Sequence, residues 1–245
     1  MNADVTVWKT GPAEYVLDDK EVHIWRFQLD DPLIETEPLF DFLSNDEKQR
    51  AEKFYFEKDR RHYIIARYQL RRLLGEYLNI QPDEIEFTYN SYGKPLFHKS
   101  DILFNVSHSR DKAVYAFGRV KEIGIDIELI NDGIDVLPLA ERFFAEAEVQ
   151  KIKNLKPEAS VAAFFNCWTR KEAYIKAKGM GITLPLNSFI VDVSSDPVSH
   201  LQVSSLFESD LKDYEFLSFS PYSNCIASVC VSARNTLPAF FEGNS

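Results

Sequence analysis

No stretch of this 245-residue chain approaches the roughly 20 consecutive apolar residues that a membrane-spanning helix needs. Met1 to Pro12 carries no apolar leader-like run, so a soluble, cytoplasmic protein is expected. Cysteine is scarce. Cys167, Cys225 and Cys230 are odd in number and lack a framework spacing, which argues against a disulfide scaffold and for reduced thiols. Cys167 lies in an apolar helical run and reads as a small core hydrophobe. No second histidine stands at a zinc spacing. The GxxxxGK[ST], GxGxxG and GxSxG signatures are all missing, so P-loop, dinucleotide and α/β-hydrolase readings have no anchor. Positive charge is also short, with 28 Lys and Arg against 38 Asp and Glu, a net −10. That argues against a general nucleic-acid binder. It leaves room for a local basic pocket.

What is present is an ordinary globular composition, 45% apolar and 27% charged, long enough for one large domain or two small ones. Val22 to Leu29 reads as a strand. Ser44 and Glu47 form a capping-box pattern that opens a helical region running to Leu78, long enough for two helices. Ile85 to Tyr89, Ile102 to Val106, Lys112 to Val120 and Ile123 to Ile130 read as strands. Leu137 to Leu155 and Glu158 to Lys178 read as helices, and Phe189 to Val193, Tyr214 to Ser220 and Asn224 to Ser232 as strands. Pro238 to Ser245 is expected to fray. A strand, then helices, then strands, twice over, predicts an α+β fold of two related halves meeting near residue 120.

Two segments carry chemistry. In Ile123 to Leu129 the alternation is strict, so Ile123, Ile125, Ile127 and Leu129 share one face and Gly124, Asp126 and Glu128 the other. Two carboxylates two residues apart can converge on one cation, with Gly124 leaving room for a ligand near the backbone. In Trp168 to Gly179, Glu172 and Lys176 stand at i and i+4 and are neighbours on a helix. Three carboxylates from two elements, with a lysine beside one, point to a hard metal ion and a phosphate. Ser107-His108-Ser109, on a turn after a strand, can hold phosphate, and Gly93-Lys94-Pro95 sets a lysine on a tight turn. Lys48 to Arg72 is locally basic, with Arg50, Arg67 and Arg71 near its apolar face. Each segment taken alone has a plain alternative: a solvated acidic face, a surface ion pair, a structural histidine, a solvated lysine.

In their order along the chain, Gly93-Lys94-Pro95, Phe104 to Ser109, Ile123 to Glu128 and Trp168 to Gly179 resemble the Sfp-type 4′-phosphopantetheinyl transferases, nearest in flavour to the cyanobacterial HetI-like members. The resemblance spans roughly residues 20 to 235. It implies two pseudo-symmetric α/β subdomains, residues 1–120 contacting the nucleotide and 121–245 bearing the catalytic groups, with the site in the cleft between them. It implies transfer of phosphopantetheine from coenzyme A to a serine of an apo carrier protein, with release of adenosine 3′,5′-bisphosphate. Asp126, Glu128 and Glu172 would bind Mg²⁺, with Mn²⁺ as a substitute. Glu172 would serve as base, directly or through water, and Lys176 would face the leaving phosphate. His108, Ser107, Lys94 and Arg50 would hold the nucleotide and its phosphates, with Lys171 nearby. The expected partners are coenzyme A and a carrier protein, with no nucleic acid and no membrane, and a monomer is expected. The pattern departs where some members carry a small hydroxyl residue, here Tyr63, and where some carry a lysine just before Arg50, here Glu47 with Lys48 beside it. A non-catalytic coenzyme A or carrier-binding module and a Mg²⁺-dependent pyrophosphate hydrolase are the rival readings.

Overall fold

The computed structural model describes residues 6–12, 14–131, 133–204 and 213–243. The first half contains β1 (Lys9–Thr10), β2 (Glu21–Gln28), α1 (Thr36–Asp41), α2 (Asn45–Ala51), α3 (Glu57–Leu78), β3 (Thr88–Tyr89), β4 (Pro95–Leu96), β5 (Leu103–Ser109) and β6 (Lys112–Gly118). The second contains β7 (Ile123–Leu129), α4 (Val136–Phe143), α5 (Glu146–Lys153), α6 (Pro157–Lys178), β8 (Phe189–Ile190), β9 (Val198–His200), β10 (Val203–Ser204), β11 (Glu215–Phe219), β12 (Cys225–Val231) and β13 (Leu237–Glu242). The chain is α+β, as expected.

One sheet has the order β1-β13-β2-β6-β5 and another β7-β12-β11-β9. Their facing surfaces share a core of Val22, Ile24, Val114 and Ala116 from the first and Ile123, Ile125, Ile127 and Val229 from the second. The outer face of the first sheet packs Trp25, Phe27 and Phe117 against Leu70, Leu73 and Leu74 of α3. The outer face of the second packs Phe216, Ile226 and Cys230 against Phe164, Cys167 and Tyr174 of α6. Each half therefore sets one 22-residue helix on the outside of its sheet, and the two sheets meet in the middle.

The alternation read in β7 holds, but its second face is not solvated. Gly124 and Asp126 are buried as well as the isoleucines, because α6 lies over them. A Cβ on Gly124 would stand 2.0 Å from the Ala173 carbonyl oxygen and 2.3 Å from the Ala177 nitrogen. The space expected for a ligand at Gly124 is filled by the helix backbone. Along its other edge β7 meets β5 through side chains. Asn105 Oδ1, Ser107 Oγ and Ser109 Oγ accept the backbone N–H groups of Ile125 (2.8 Å), Ile127 (3.4 Å) and Leu129 (3.4 Å). Three alternate side chains of one strand thus satisfy alternate donors of the next, where an open edge would otherwise leave them bare.

Two expectations are corrected. Leu137 to Leu155 is two helices, split at Phe144 and Ala145, where Glu148 turns back to accept the Ala145 N–H (2.9 Å). Pro238 to Glu242 does not fray; it forms most of β13, paired in parallel with both β2 and β1, so the end of the chain is built into the first half's sheet. Residues 244–245 lie outside the described residues, as do the first five.

Gly124→Ala is expected to destabilise the protein by about 3 kcal/mol, since one methyl must separate two backbones. Chemical denaturation measures this, and an unchanged midpoint would contradict the close crossing.

Candidate active site

Three elements meet at one point. The close approach at Gly124 sets α6 across β7, so Glu172 and Lys176, one helical turn apart, face the strand's carboxylates. The Asn105-Ser107-Ser109 seam brings β5 alongside. Asp126 is 4% exposed. Its Oδ1 accepts the Lys176 ammonium at 2.7 Å and the Ser107 hydroxyl at 3.0 Å, and Lys176 also donates to Ser107 Oγ at 2.7 Å. Asp126 Oδ2 is sealed from solvent and has no hydrogen-bond partner among the described residues. A buried carboxylate oxygen left bare costs about 1–3 kcal/mol or more; a cation is the group that would complete it.

The neighbouring acids point the same way. Glu172 is raised above the usual carboxylate range, first by burial and then by the negative charge of Asp126, with Lys176 opposing. Glu128 is raised by burial and by Asp126, against hydrogen bonds from Ser109 and Trp168 and the charge of Lys176. Ser109 Oγ donates to Glu128 Oε2 at 3.3 Å. Negative charge is thus concentrated beyond what one ammonium balances. Among the described residues no three His, Cys, Asp or Glu side chains are gathered in a metal-holding arrangement; Lys176 is the cation that touches Asp126. The orphaned Oδ2 and the all-oxygen donor set fit a hard divalent ion that would draw Glu128 and Glu172 inward.

His108 follows Ser107 and is exposed on the strand's solvent side. The protein packed around it, then the charges of Lys176 and His62, pull its pKa below the ordinary value. Arg50 is exposed, with its guanidinium 5.6 Å from the Tyr63 ring centroid. Arg67 and Arg71 meet Glu47, which is 1% exposed, at 2.8 and 2.7 Å. Arg71 also donates to the carbonyls of Pro82 and Ile85. Glu47 accepts the Ser44 N–H at 2.9 Å, as its capping-box position requires. The acid that departs from the family pattern is therefore the anchor of two arginines.

Two expected ligands are placed elsewhere. Lys171 is fully buried on another side of α6, where its ammonium meets Glu148 (2.9 Å) and the carbonyls of Leu186 (2.7 Å) and Phe189 (2.6 Å). All its donors are occupied, and it is not available to a phosphate. Lys94 donates to the carbonyls of Lys176 (2.7 Å), Ile123 (2.9 Å) and Ala177 (3.2 Å), and burial lowers its pKa to about 8. Its ammonium closes the end of α6 rather than standing free for a nucleotide. Cys167 is buried, and its thiol is pushed well up by burial, as a core residue should be. Ser107 to Ser109, expected on a turn after a strand, lie within β5, and the Asn105 and Ser109 side chains serve the β7 backbone, a role their period of two beside the acidic strand could have signalled. Sequence reading passed over Glu148, whose burial no local pattern announces.

Two family models match the chain: the 4′-phosphopantetheinyl transferase superfamily over residues 122–230, and the N-terminal 4′-phosphopantetheinyl transferase family over residues 34–118. The chain is 36% identical over 239 residues to the 4′-phosphopantetheinyl transferase HetI of Nostoc sp., covering 96% of this chain and 98% of that one. It is 41% identical over 158 residues to the 4′-phosphopantetheinyl transferase gsp of Aneurinibacillus migulanus, covering 63% and 65%. It is 30% identical over 176 residues to the 4′-phosphopantetheinyl transferase Sfp of Bacillus subtilis, covering 71% and 77%.

Crowded carboxylates should make the site a stability burden when no divalent ion is added. Glu172→Gln is expected to raise the melting temperature of the metal-free protein at pH 8 by about 2 °C. Lys176→Met, which strands Asp126 without its cation, should lower it by about 5 °C. Melting curves that moved in the opposite directions would contradict the charge balance described.

Proposed function

This chain belongs to the 4′-phosphopantetheinyl transferase superfamily and moves phosphopantetheine from coenzyme A to a carrier protein; we propose that it does so with Asp126, Glu128 and Glu172 holding a Mg²⁺ ion, or Mn²⁺ in its place. The observation that carries this is the sealed, partnerless Oδ2 of Asp126 beside two acids whose proton affinity is raised. These three acids would hold a divalent ion, which would supply the charge neutralisation that phosphoryl transfer needs more than covalent help.

The protein's own groups then divide the work. Glu172, directly or through one water, takes the proton of the acceptor serine hydroxyl; its raised pKa suits a general base. Lys176 lies against Asp126 and Ser107, from where its ammonium meets the leaving phosphate of adenosine 3′,5′-bisphosphate. The Ser107 hydroxyl, which donates to Asp126 at 3.0 Å, would turn to the same phosphates once a cation holds Asp126. His108 and Arg50, the latter exposed over Tyr63, hold the nucleotide end. Residues 1–120 supply these nucleotide contacts and residues 121–245 the acids and Lys176, with β13 the segment that returns to the first half. The carrier's serine enters from the solvent side of Glu172. Among the described residues no helix is long and apolar enough to cross a membrane; a cytoplasmic monomer is part of the proposal.

Incubating the protein with coenzyme A, Mg²⁺ and a panel of apo carrier proteins should add one phosphopantetheine to a carrier, read by intact-protein mass spectrometry. Asp126→Ala and Glu172→Ala should each slow the addition by at least about 100-fold. An unmodified panel, or near-native rates in Glu172→Ala, would contradict the proposal.

A further inference from the structure

The hairpin of β3 and β4 is fastened to the end of the catalytic helix. Asn90 Oδ1 accepts the N–H groups of Tyr92 and Lys94, both at 2.9 Å, which shapes the turn, and Asn90 Nδ2 donates to the Gly179 carbonyl at 2.8 Å. Gly179 ends α6 in the left-handed region at φ 65° and returns its N–H to the Lys176 carbonyl. A Cβ there would come within 2.9 Å of Asn90 Nδ2. Lys94, next along, spends all three ammonium protons on backbone carbonyls. Two belong to the last turn of α6, where the helix dipole is negative and carbonyls lack intrahelical partners. The third, Ile123, opens β7.

These carbonyls bracket the close backbone crossing at Gly124. Ile123 precedes Gly124, and the Gly124 Cα faces the backbone of Ala173, Lys176 and Ala177. Backbone contact alone would let a helix slide along a strand. A cation bonded to both prevents it. The quantity so fixed is the offset between Glu172 and Lys176 on α6 and Asp126 and Glu128 on β7. Lys94 also lines two cavities of about 250 and 240 Å³, the second of which reaches Lys176.

We propose that Lys94 is a positioning residue for the transfer reaction: it ties the last turn of α6 to the start of β7, sets Lys176 and Glu172 against Asp126, and makes no contact with coenzyme A through its ammonium. This rests on the reading of the site given above. It differs from the resemblance, under which the same ammonium grips the nucleotide, and the two roles separate in kinetics. A lost ligand raises the KM for coenzyme A. A lost lock leaves binding alone and lowers kcat.

The experiment compares the native protein, Lys94→Met, and Lys94→Cys before and after alkylation with bromoethylamine, which rebuilds an aminoethyl side chain. Cys167, Cys225 and Cys230 are all buried, so only the introduced thiol reacts. In Lys94→Met, kcat should fall about 100-fold, the scale of an active-site displacement of about 1 Å, with the KM for coenzyme A changed less than about twofold. Alkylation of Lys94→Cys should restore most of the lost kcat. Amide hydrogen exchange at the end of α6 should speed up in Lys94→Met and slow again on alkylation. A rise in KM with kcat preserved, or full activity in Lys94→Met, would overturn the inference. So would alkylation that fails to restore kcat in the folded protein. Should the native protein modify no carrier, the transferase reading fails on its own, and the exchange rates alone decide whether Lys94 locks the helix.

Discussion

Everything functional in this fold depends on α6 crossing β7 with no side chain between their backbones. Gly124 permits that approach, and its absence of a Cβ does as much for the site as any charged group. The crossing lays Glu172 and Lys176 over Asp126 and Glu128. It also forces Asp126 out of solvent, which gives a carboxylate the incentive to hold a cation. The Asn105, Ser107 and Ser109 seam then sets the second wall, because the side chains that satisfy the β7 edge also deliver Ser107 to Asp126. One steric permission and one hydrogen-bonded seam thus assemble groups from both halves of the chain.

Buried charge is handled in two ways. Away from the site most of it is closed by several partners, although Arg26 Nε is also buried with no hydrogen-bond partner among the described residues. Arg170 is buried and donates to Ser218 Oγ and to the carbonyls of Asp192, Ser194 and Asp196. Lys171 meets Glu148 and two carbonyls, and Glu47 meets Arg67 and Arg71. Removing one member of such a set leaves an unpaired ion and is expected to be severe. At the site the account does not close. Asp126 keeps a bare oxygen, and Glu128 and Glu172 hold protons more tightly than free carboxylates. The site differs from the other networks in that two further acids of raised pKa stand beside the bare oxygen.

Much of this was legible in the amino-acid sequence, and the limits have physical causes. The α+β class, the alternating acidic strand and the Glu172–Lys176 turn follow from periods of 2 and 3.6, which are local. Burial of the acidic face was not local, since it needed α6 to be placed. Lys171 and Glu172 show the limit sharply: adjacent on a helix, they point about 100° apart, one into the core and the other into the site. Lys94 was read as a free cation on a turn, because nothing nearby in sequence reveals the three carbonyls that receive it, two of them more than 80 residues away. The strand at Leu237 to Glu242 was missed because parallel pairing with β2 leaves no hairpin signal.

On the proposed reading, the three carboxylates on β7 and α6 form one divalent-ion site around the open oxygen of Asp126. Crystals grown with Mn²⁺ and coenzyme A, with diffraction collected at the manganese absorption edge, test it most directly. A single anomalous peak bonded to Asp126, Glu128 and Glu172, with the Lys176 ammonium turned onto a phosphate, is the predicted result. A peak bound by other residues, or none with Asp126 still held by Lys176 alone, would contradict the account.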